Sequence, residues 1–186
     1  EFESDGFVQP FCDTPLDEEV VGEDVYLNII NKAKKYVYIC TPYLIIDNEM
    51  MTALCLAAKN GVDVRIMTPG TPDKKLVFLL TQSYYRQLLE NGVKIYEYQP
   101  GFLHAKTFVC DDEIAVVGTI NLDYRSLYLH FEDGVWIYGN DVIWSMKEDF
   151  VQTLEDCHTV PLEFCKNRKI PVRIMQNVLR AFAPML

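Results

Sequence analysis

Three short β-rich runs, two of them followed by a helical stretch that a glycine closes, constrain this chain more than any other feature. Tyr36–Thr41 is the first run. Asp47 then reads as a helix N-cap, with Met50 or Met51, Leu54, Ala57 and Ala58 on one helical stripe that ends at Gly61. Val62–Thr68 alternates as a strand and is stopped by the Pro69–Pro72 loop. Asp73 to Asn91 is helical, closes at Gly92, and leads into the strand Val93–Tyr98. Strands joined through helices run parallel within one sheet. Leu103–Cys110 and Glu113–Val117 follow as two strands of a hairpin turned at Asp111-Asp112, and Phe131–Tyr138 adds another strand. Asp141 starts a long helix to about His158, and Pro171–Leu186 is helical. The expected fold class is α/β, with a mixed β-sheet sandwiched between helices. Residues 1–20 read as a linker or edge segment and residues 21–186 as the folded domain.

With 186 residues, 49% of them hydrophobic, the chain can bury the core of one domain. Its net charge is −10, unevenly placed. The first 24 residues hold nine acids and no base, so the remaining 17 bases and 18 acids leave a nearly neutral body. That balance argues against nucleic acid, whose binding draws on Lys and Arg neutralising phosphates. No apolar run approaches the roughly 18 residues of a membrane span, and the start has no signal-peptide pattern. The cysteines at 12, 40, 55, 110, 157 and 165 read as reduced thiols, mostly in apolar stretches. Cys157, His158 and Cys165 could offer zinc ligands, but at poor spacing. After residue 160, Lys166, Arg168, Lys169, Arg173 and Arg180 face only Glu163. The stripe Val172, Met175, Val178, Leu179 and Phe182 there fits packing against the domain, or an interfacial helix touching lipid headgroups.

The chemistry concentrates between residues 104 and 121, where the chain reads H-x-K-x4-D-x6-G-T-x-N. His104 and Lys106 are two apart on an expected strand, so their side chains share a face. Asn121 follows the returning strand of the hairpin and comes back to the same end. One titratable nitrogen, one fixed cation and one amide around a small volume suit a phosphodiester. Lys106 and Asn121 would hold the non-bridging oxygens while histidine handles covalent or proton chemistry. Asp111 falls on the opposite alternation, at the turn, and is expected to tie that turn down.

This segment resembles the HKD motif of the phospholipase D superfamily. The likeness continues through Tyr38–Asp47, Gly61–Met67, Tyr84–Tyr98, Gly118–Ser126 and Phe131-Glu132, which resemble bacterial cardiolipin synthases and, more narrowly, their C-terminal half. It covers roughly residues 7–186. One departure is His130, where Asn would be expected before Phe131-Glu132, outside the motif. The resemblance implies a phospholipase D-like half-domain and a two-step phosphatidyl transfer. A histidine attacks the phosphate of phosphatidylglycerol to form a phosphatidyl-histidine, glycerol leaves, and a second phosphatidylglycerol accepts the group to give cardiolipin. It implies no cofactor and no metal, since Lys and Asn supply the phosphate contacts. It also implies that Asp111 belongs to the catalytic motif, that Glu132 orients a catalytic histidine, and that Tyr43 and Ser126 border the lipid substrate together with Lys106 and Asn121. Phospholipase D, phosphatidylserine synthase and a dimeric nuclease would share the chemistry.

Such enzymes need two HKD motifs, and this sequence has one, because neither His130 nor His158 has a lysine two residues on. The second motif is expected from another part of the same full-length chain, or from a second copy in a homodimer. In the first case the resemblance makes His104 the general acid/base. It also places the full-length protein at the cell membrane through an N-terminal region, with this part soluble on the cytoplasmic side.

Overall fold

A computed structural model describes residues 5–185. In chain order the elements are β1 (Phe7–Asp13), α1 (Val21–Lys32), β2 (Tyr36–Cys40), β3 (Leu44–Ile45), α2 (Asn48–Lys59), β4 (Asp63–Pro69), α3 (Lys75–Glu90) and β5 (Lys94–Tyr98). Then come β6 (Thr107–Cys110), β7 (Ile114–Gly118), β8 (Leu122–Asp123), α4 (Tyr124–Tyr128), β9 (Glu132–Tyr138), α5 (Val142–Thr153), β10 (Cys157–Thr159), α6 (Leu162–Lys166) and α7 (Ile170–Ala181). Eight strands form one mixed sheet in the order β1-β9-β7-β6-β2-β4-β5-β10. The three strands linked through helices, β2, β4 and β5, run parallel, and the others join antiparallel. β3 and β8 pair separately.

The period of two along β2 divides the sheet between two cores. Val37 and Ile39 join Ile66, Ile95 and Phe108 beneath α1, α2 and α3. Tyr36, Tyr38 and Cys40 face the other way, with Met67, Val109 and Ile137, and α5 covers them with Ile143 and Phe150. Asp47 caps α2, its carboxylate accepting from the Met50 amide at 2.8 Å. Gly61 and Gly92 end their helices at φ 92° and 94°, the left-handed region open to glycine. Phe7–Asp13 lies along β9 as the outermost strand. Asp13 and Glu23, from the acidic front of the sequence, are buried.

Three expectations change. The strand expected from Leu103 begins at Thr107, opposite Cys40 at the end of β2. Beyond that point β2 has left the ladder, and one bond remains, from the Gly118 amide to the Lys106 carbonyl at 3.3 Å. The helix expected from Asp141 to about His158 is α-helical to Thr153 and continues as a 3-10 turn over Leu154–Asp156, where the free edge of β5 captures Cys157–Thr159 as β10. That puts His158 on a strand. Cys157 lies on β10 and Cys165 on α6, and among the described residues no three His, Cys, Asp or Glu side chains gather to hold a metal. Finally, the C-terminal stripe does not all pack inward: Val172 and Leu179 are half-buried, while Met175, Val178 and Phe182 are exposed.

The β6–β7 connection is Asp111–Glu113, and Asp111 at φ 54° and Asp112 at φ 62° are the central residues of a turn that the Glu113 amide closes on the Cys110 carbonyl at 3.0 Å. Both central residues of such a turn need positive φ, which Asp tolerates better than most side chains. Asp111 accepts from the backbone amides of Lys34, Lys35 and Tyr36 at 2.7, 2.9 and 2.8 Å. Asp112 accepts from Lys147 Nζ at 2.5 Å and from the Tyr36 hydroxyl at 2.7 Å. Asp111→Ala removes the acceptor of three amides at once, and a loss of about 2 kcal/mol is expected in denaturant unfolding, with Asp111→Asn losing less. Unchanged stability in the alanine variant would show that the turn holds without this carboxylate.

Candidate active site

The carboxyl ends of β2, β4 and β5 lie along one edge of the sheet, and the antiparallel register brings three more segments to it. Thr107 opens β6 opposite Cys40, Gly118 closes β7 opposite Gly134, and Glu132 opens β9 two residues earlier. The edge is therefore shared by His104 and Lys106, by Thr119 and Asn121, by Glu132, and by the loops after β2 and β4. Loops at this edge of an open α/β sheet are where such folds hold ligands.

His104 is exposed and Lys106 is buried. The Lys106 ammonium donates to the His104 carbonyl at 2.7 Å and sits 3.0 Å from its Nδ1. An ammonium only donates, so Nδ1 accepts, and the neutral ring carries its proton on Nε2. Burial holds the Lys106 pKa below its ordinary value of 10.5, while the charges of Glu132 and Asp123 pull it back up. A bound anion would relieve that cost directly. Phe102 bridges from the His104 ring, at 5.6 Å between centroids, to Tyr43 at 6.3 Å. The Tyr43 hydroxyl donates to Asp73 at 2.6 Å, so the loops after β2 and β4 are tied together.

Gly118 and Thr119 set the position of Glu132. A Cβ on Gly118 would lie 2.2 Å from the Asp133 carbonyl oxygen, so only glycine allows β7 to approach β9 this closely. The Thr119 amide donates to that carbonyl at 2.8 Å, and the Asp133 amide returns a bond to Thr119 Oγ1 at 2.9 Å. Thr119 Oγ1 in turn donates to the buried Glu132 carboxylate. The other Glu132 oxygen lies 3.8 Å from His130 Nδ1. His130, the residue that departs from the family pattern, therefore reaches the site and was underrated from sequence.

Asn121 joins two hollows. Its Nδ2 donates to Ser126 Oγ at 2.8 Å, and its buried Oδ1 has no hydrogen-bond partner among the described residues. Ser126 is placed by α4, whose first turn Asp123 caps by accepting from the Arg125 and Ser126 amides, both at 2.9 Å. On one side Asn121 meets an open groove with His104, Lys106 and Thr119. On the other it lines a cavity of about 290 Å³ with Tyr43, Lys74, Arg125, Ser126 and His130. His104, Lys106, Asn121, Glu132, Tyr43 and Ser126 thus converge on one edge. Asp111 does not: it sits at the far end of β6, roughly 16 Å away at about 3.3 Å per strand residue. Lys74 and His130 were not singled out as site residues from sequence. The position of Lys74 just after the β4 loop was the available signal.

This arrangement is that of a phospholipase D-like domain. Residues 26–154 match the family model described as "Cardiolipin synthase, PLD-like domain". The chain belongs to the cardiolipin synthase family. It is 47% identical over 161 residues to a cardiolipin synthase of Clostridium perfringens, a match covering 87% of this chain and 34% of that one. Phosphatidylserine synthase of Haemophilus influenzae shares the fold at TM-score 0.73 and 18% identity, over 96% of this chain and 45% of that one. Nuc of Salmonella typhimurium, a phospholipase D family member, shares it at 0.70 and 18%, over 83% and 97%. The chain spans 40% or less of the length of its leading curated relatives.

The buried ammonium gives a stability prediction. Lys106 has a folded pKa below its unfolded value, so charging it opposes folding at neutral pH, and stability rises as pH passes through the window below 10.5. Lys106→Met is expected to raise the melting temperature near neutral pH, with the gain shrinking at alkaline pH. A variant less stable than the parent at neutral pH would contradict this account.

Proposed function

We propose that the chain is one catalytic half of a phosphatidyltransferase that makes cardiolipin from two phosphatidylglycerol molecules. The observation that carries this reading is the contact between the buried Lys106 ammonium and His104, with Asn121 across the same groove. A phosphodiester entering the groove gives Lys106 the anion it lacks. As Lys106 turns to a non-bridging oxygen, it leaves His104 Nδ1. Nδ1, freed of that contact, can take up a proton, and His104 as an imidazolium then gives its Nε2 proton to the reacting group as a general acid. Asn121 and Ser126 hold the second oxygen, and Lys74 and Arg125 face the polar end of the substrate in the adjoining cavity.

The histidine of a second HKD half attacks phosphorus, and its N–P bond forms as the P–O bond to glycerol breaks. His104 gives the departing glycerol oxygen its proton. It then takes the proton from the hydroxyl of the second phosphatidylglycerol, whose oxygen displaces the histidine nitrogen. One P–O bond is exchanged for another, so no nucleotide is consumed and no metal is called for. The shorter span of this chain relative to its relatives supports a second half in the same longer protein. The full-length protein would work at the cell membrane with this part on the cytoplasmic side, which the free and largely buried cysteines suit.

In the full-length protein, His104→Ala is expected to abolish conversion of phosphatidylglycerol to cardiolipin, with added divalent metal making no difference to the parent. Lys106→Ala is expected to lower kcat by about 10²–10³, or about 2.7–4 kcal/mol of lost charge stabilisation. Chromatography of labelled lipid products checks both. Parental turnover in the His104 variant would refute the reading. Turnover by this chain alone as a monomer would remove the need for a second half.

A further inference from the structure

A second cavity, of about 170 Å³, lies between α3, α6 and α7, away from the sheet edge that carries His104. Arg86, Arg168, Arg173 and Arg180 all line it, and among the described residues Glu90 is the only carboxylate that does. Four like charges brought this close repel unless an anion or solvent separates them. Two of them are nevertheless fixed in place. Arg168 lies over the Phe164 ring at 4.3 Å and donates to the Gln82 side-chain oxygen. Arg180 lies over the Tyr84 ring at 4.4 Å and reaches the Gln87 side-chain oxygen at 3.5 Å. Stacking and a single amide contact leave most of each planar fork of donors unused. Arg86 pairs with Glu90 at 2.9 Å, which neutralises one charge of the four. The cavity therefore presents a net of three positive charges, two of them on guanidiniums already fixed in place, a fit for a phosphate oxyanion.

The surface beside it points to the source of that phosphate. At about 100° per residue, α7 turns Gln176 and Leu179 toward the body and sets Arg173, Asn177 and Arg180 along the cavity. The next arc carries Ile170, Ile174, Val178 and Phe182, which are 71%, 58%, 48% and 53% exposed. Met175 and Met185 extend it, at 48% and 80%. A row of guanidiniums bordering an uncovered apolar stripe is the pattern of a helix lying in an anionic lipid surface. The last turn also leads back to the substrate side, since Ala183 lines the Asn121 cavity.

We propose that the α3–α6–α7 cavity binds the phosphate of an anionic phospholipid, whose acyl chains lie against the stripe of α7. This site does not turn over its lipid. It holds α7 in the membrane plane and so sets the mouth of the Asn121 cavity toward the lipid surface. The site stands independently of the chemistry assigned to His104, because its readout is binding.

Flotation of this chain with phosphatidylcholine vesicles, with and without phosphatidylglycerol, tests it, alongside thermal shifts in inorganic phosphate. The parent chain and its His104→Ala variant are expected to bind the phosphatidylglycerol vesicles and not the neutral ones. Arg168→Gln with Arg180→Gln is expected to weaken that binding by about tenfold or more, and Ile174→Ser with Val178→Ser to weaken it as well. Circular dichroism confirms that both pairs remain folded. Phosphate that stabilises the parent and not the arginine pair, without vesicle binding, would keep the anion site and overturn the lipid. Vesicle binding that survives the arginine pair would overturn the site, as would absence of both responses.

Discussion

The site depends on how the β6–β7 hairpin is clamped to the rest of the sheet. At one end Asp111 gathers three consecutive backbone amides of the segment entering β2. That contact fixes the register in which Cys110 faces Val37 and Thr107 faces Cys40. Slipping the pairing by one residue would send every side chain of β6 to the other face. Phe108 would leave its stack on Tyr26, at 4.0 Å between rings, and Lys106 would leave the groove. The aspartate that completes the sequence motif thus acts at a distance, by deciding where its histidine and lysine stand.

At the other end, the chain accepts local costs that an anionic substrate would offset. Among the described residues, Lys106 is buried with no carboxylate bonded to it, and Asn121 holds an unpartnered oxygen. Groups left in this state are expensive in a folded protein unless something arrives to meet them. Around them the scaffold is rigid: Thr119 clamps Glu132, Asp123 caps α4, and Thr41 Oγ1 accepts from the Leu122 amide at 3.1 Å to tie the β2 loop to β8. Preorganised donors of this kind need no rearrangement as charge develops. The charge distribution has the same logic at larger scale. Net charge is −10, yet cations are drawn to two places, the Asn121 cavity with Lys74 and Arg125 and the arginine cavity under α7.

Much of this was legible in the sequence because it is local. The period of two in VYICT and VDVRIMT, the Asp47 cap, and the glycines at 61 and 92 each act within a few residues, and each falls where the pattern put it. The spacing of His104, Lys106 and Asn121 across a hairpin is local in the same sense, since two antiparallel strands return the chain to its starting edge. What failed was not local. The helix expected to run to about His158 gives way to β10 at Cys157 because β5 offers an open edge that helical propensity cannot foresee. The apolar stripe of α7 was visible, but not which part of it the body covers.

The sequence by itself determined the alternation of strands and helices, the hairpin, and the pairing of a histidine with a lysine, all of them consequences of backbone geometry over short spans. Only the tertiary structure decided the partners. It brought Lys74 and His130 into the cavity of Asn121, and collected Arg86 from α3, Arg173 and Arg180 from α7, and Arg168 from the loop between α6 and α7 around one hollow. These groups are far apart along the chain, or separated by an irregular turn. Their proximity follows from how whole helices pack against the sheet and against one another, and no periodicity in the sequence encodes that.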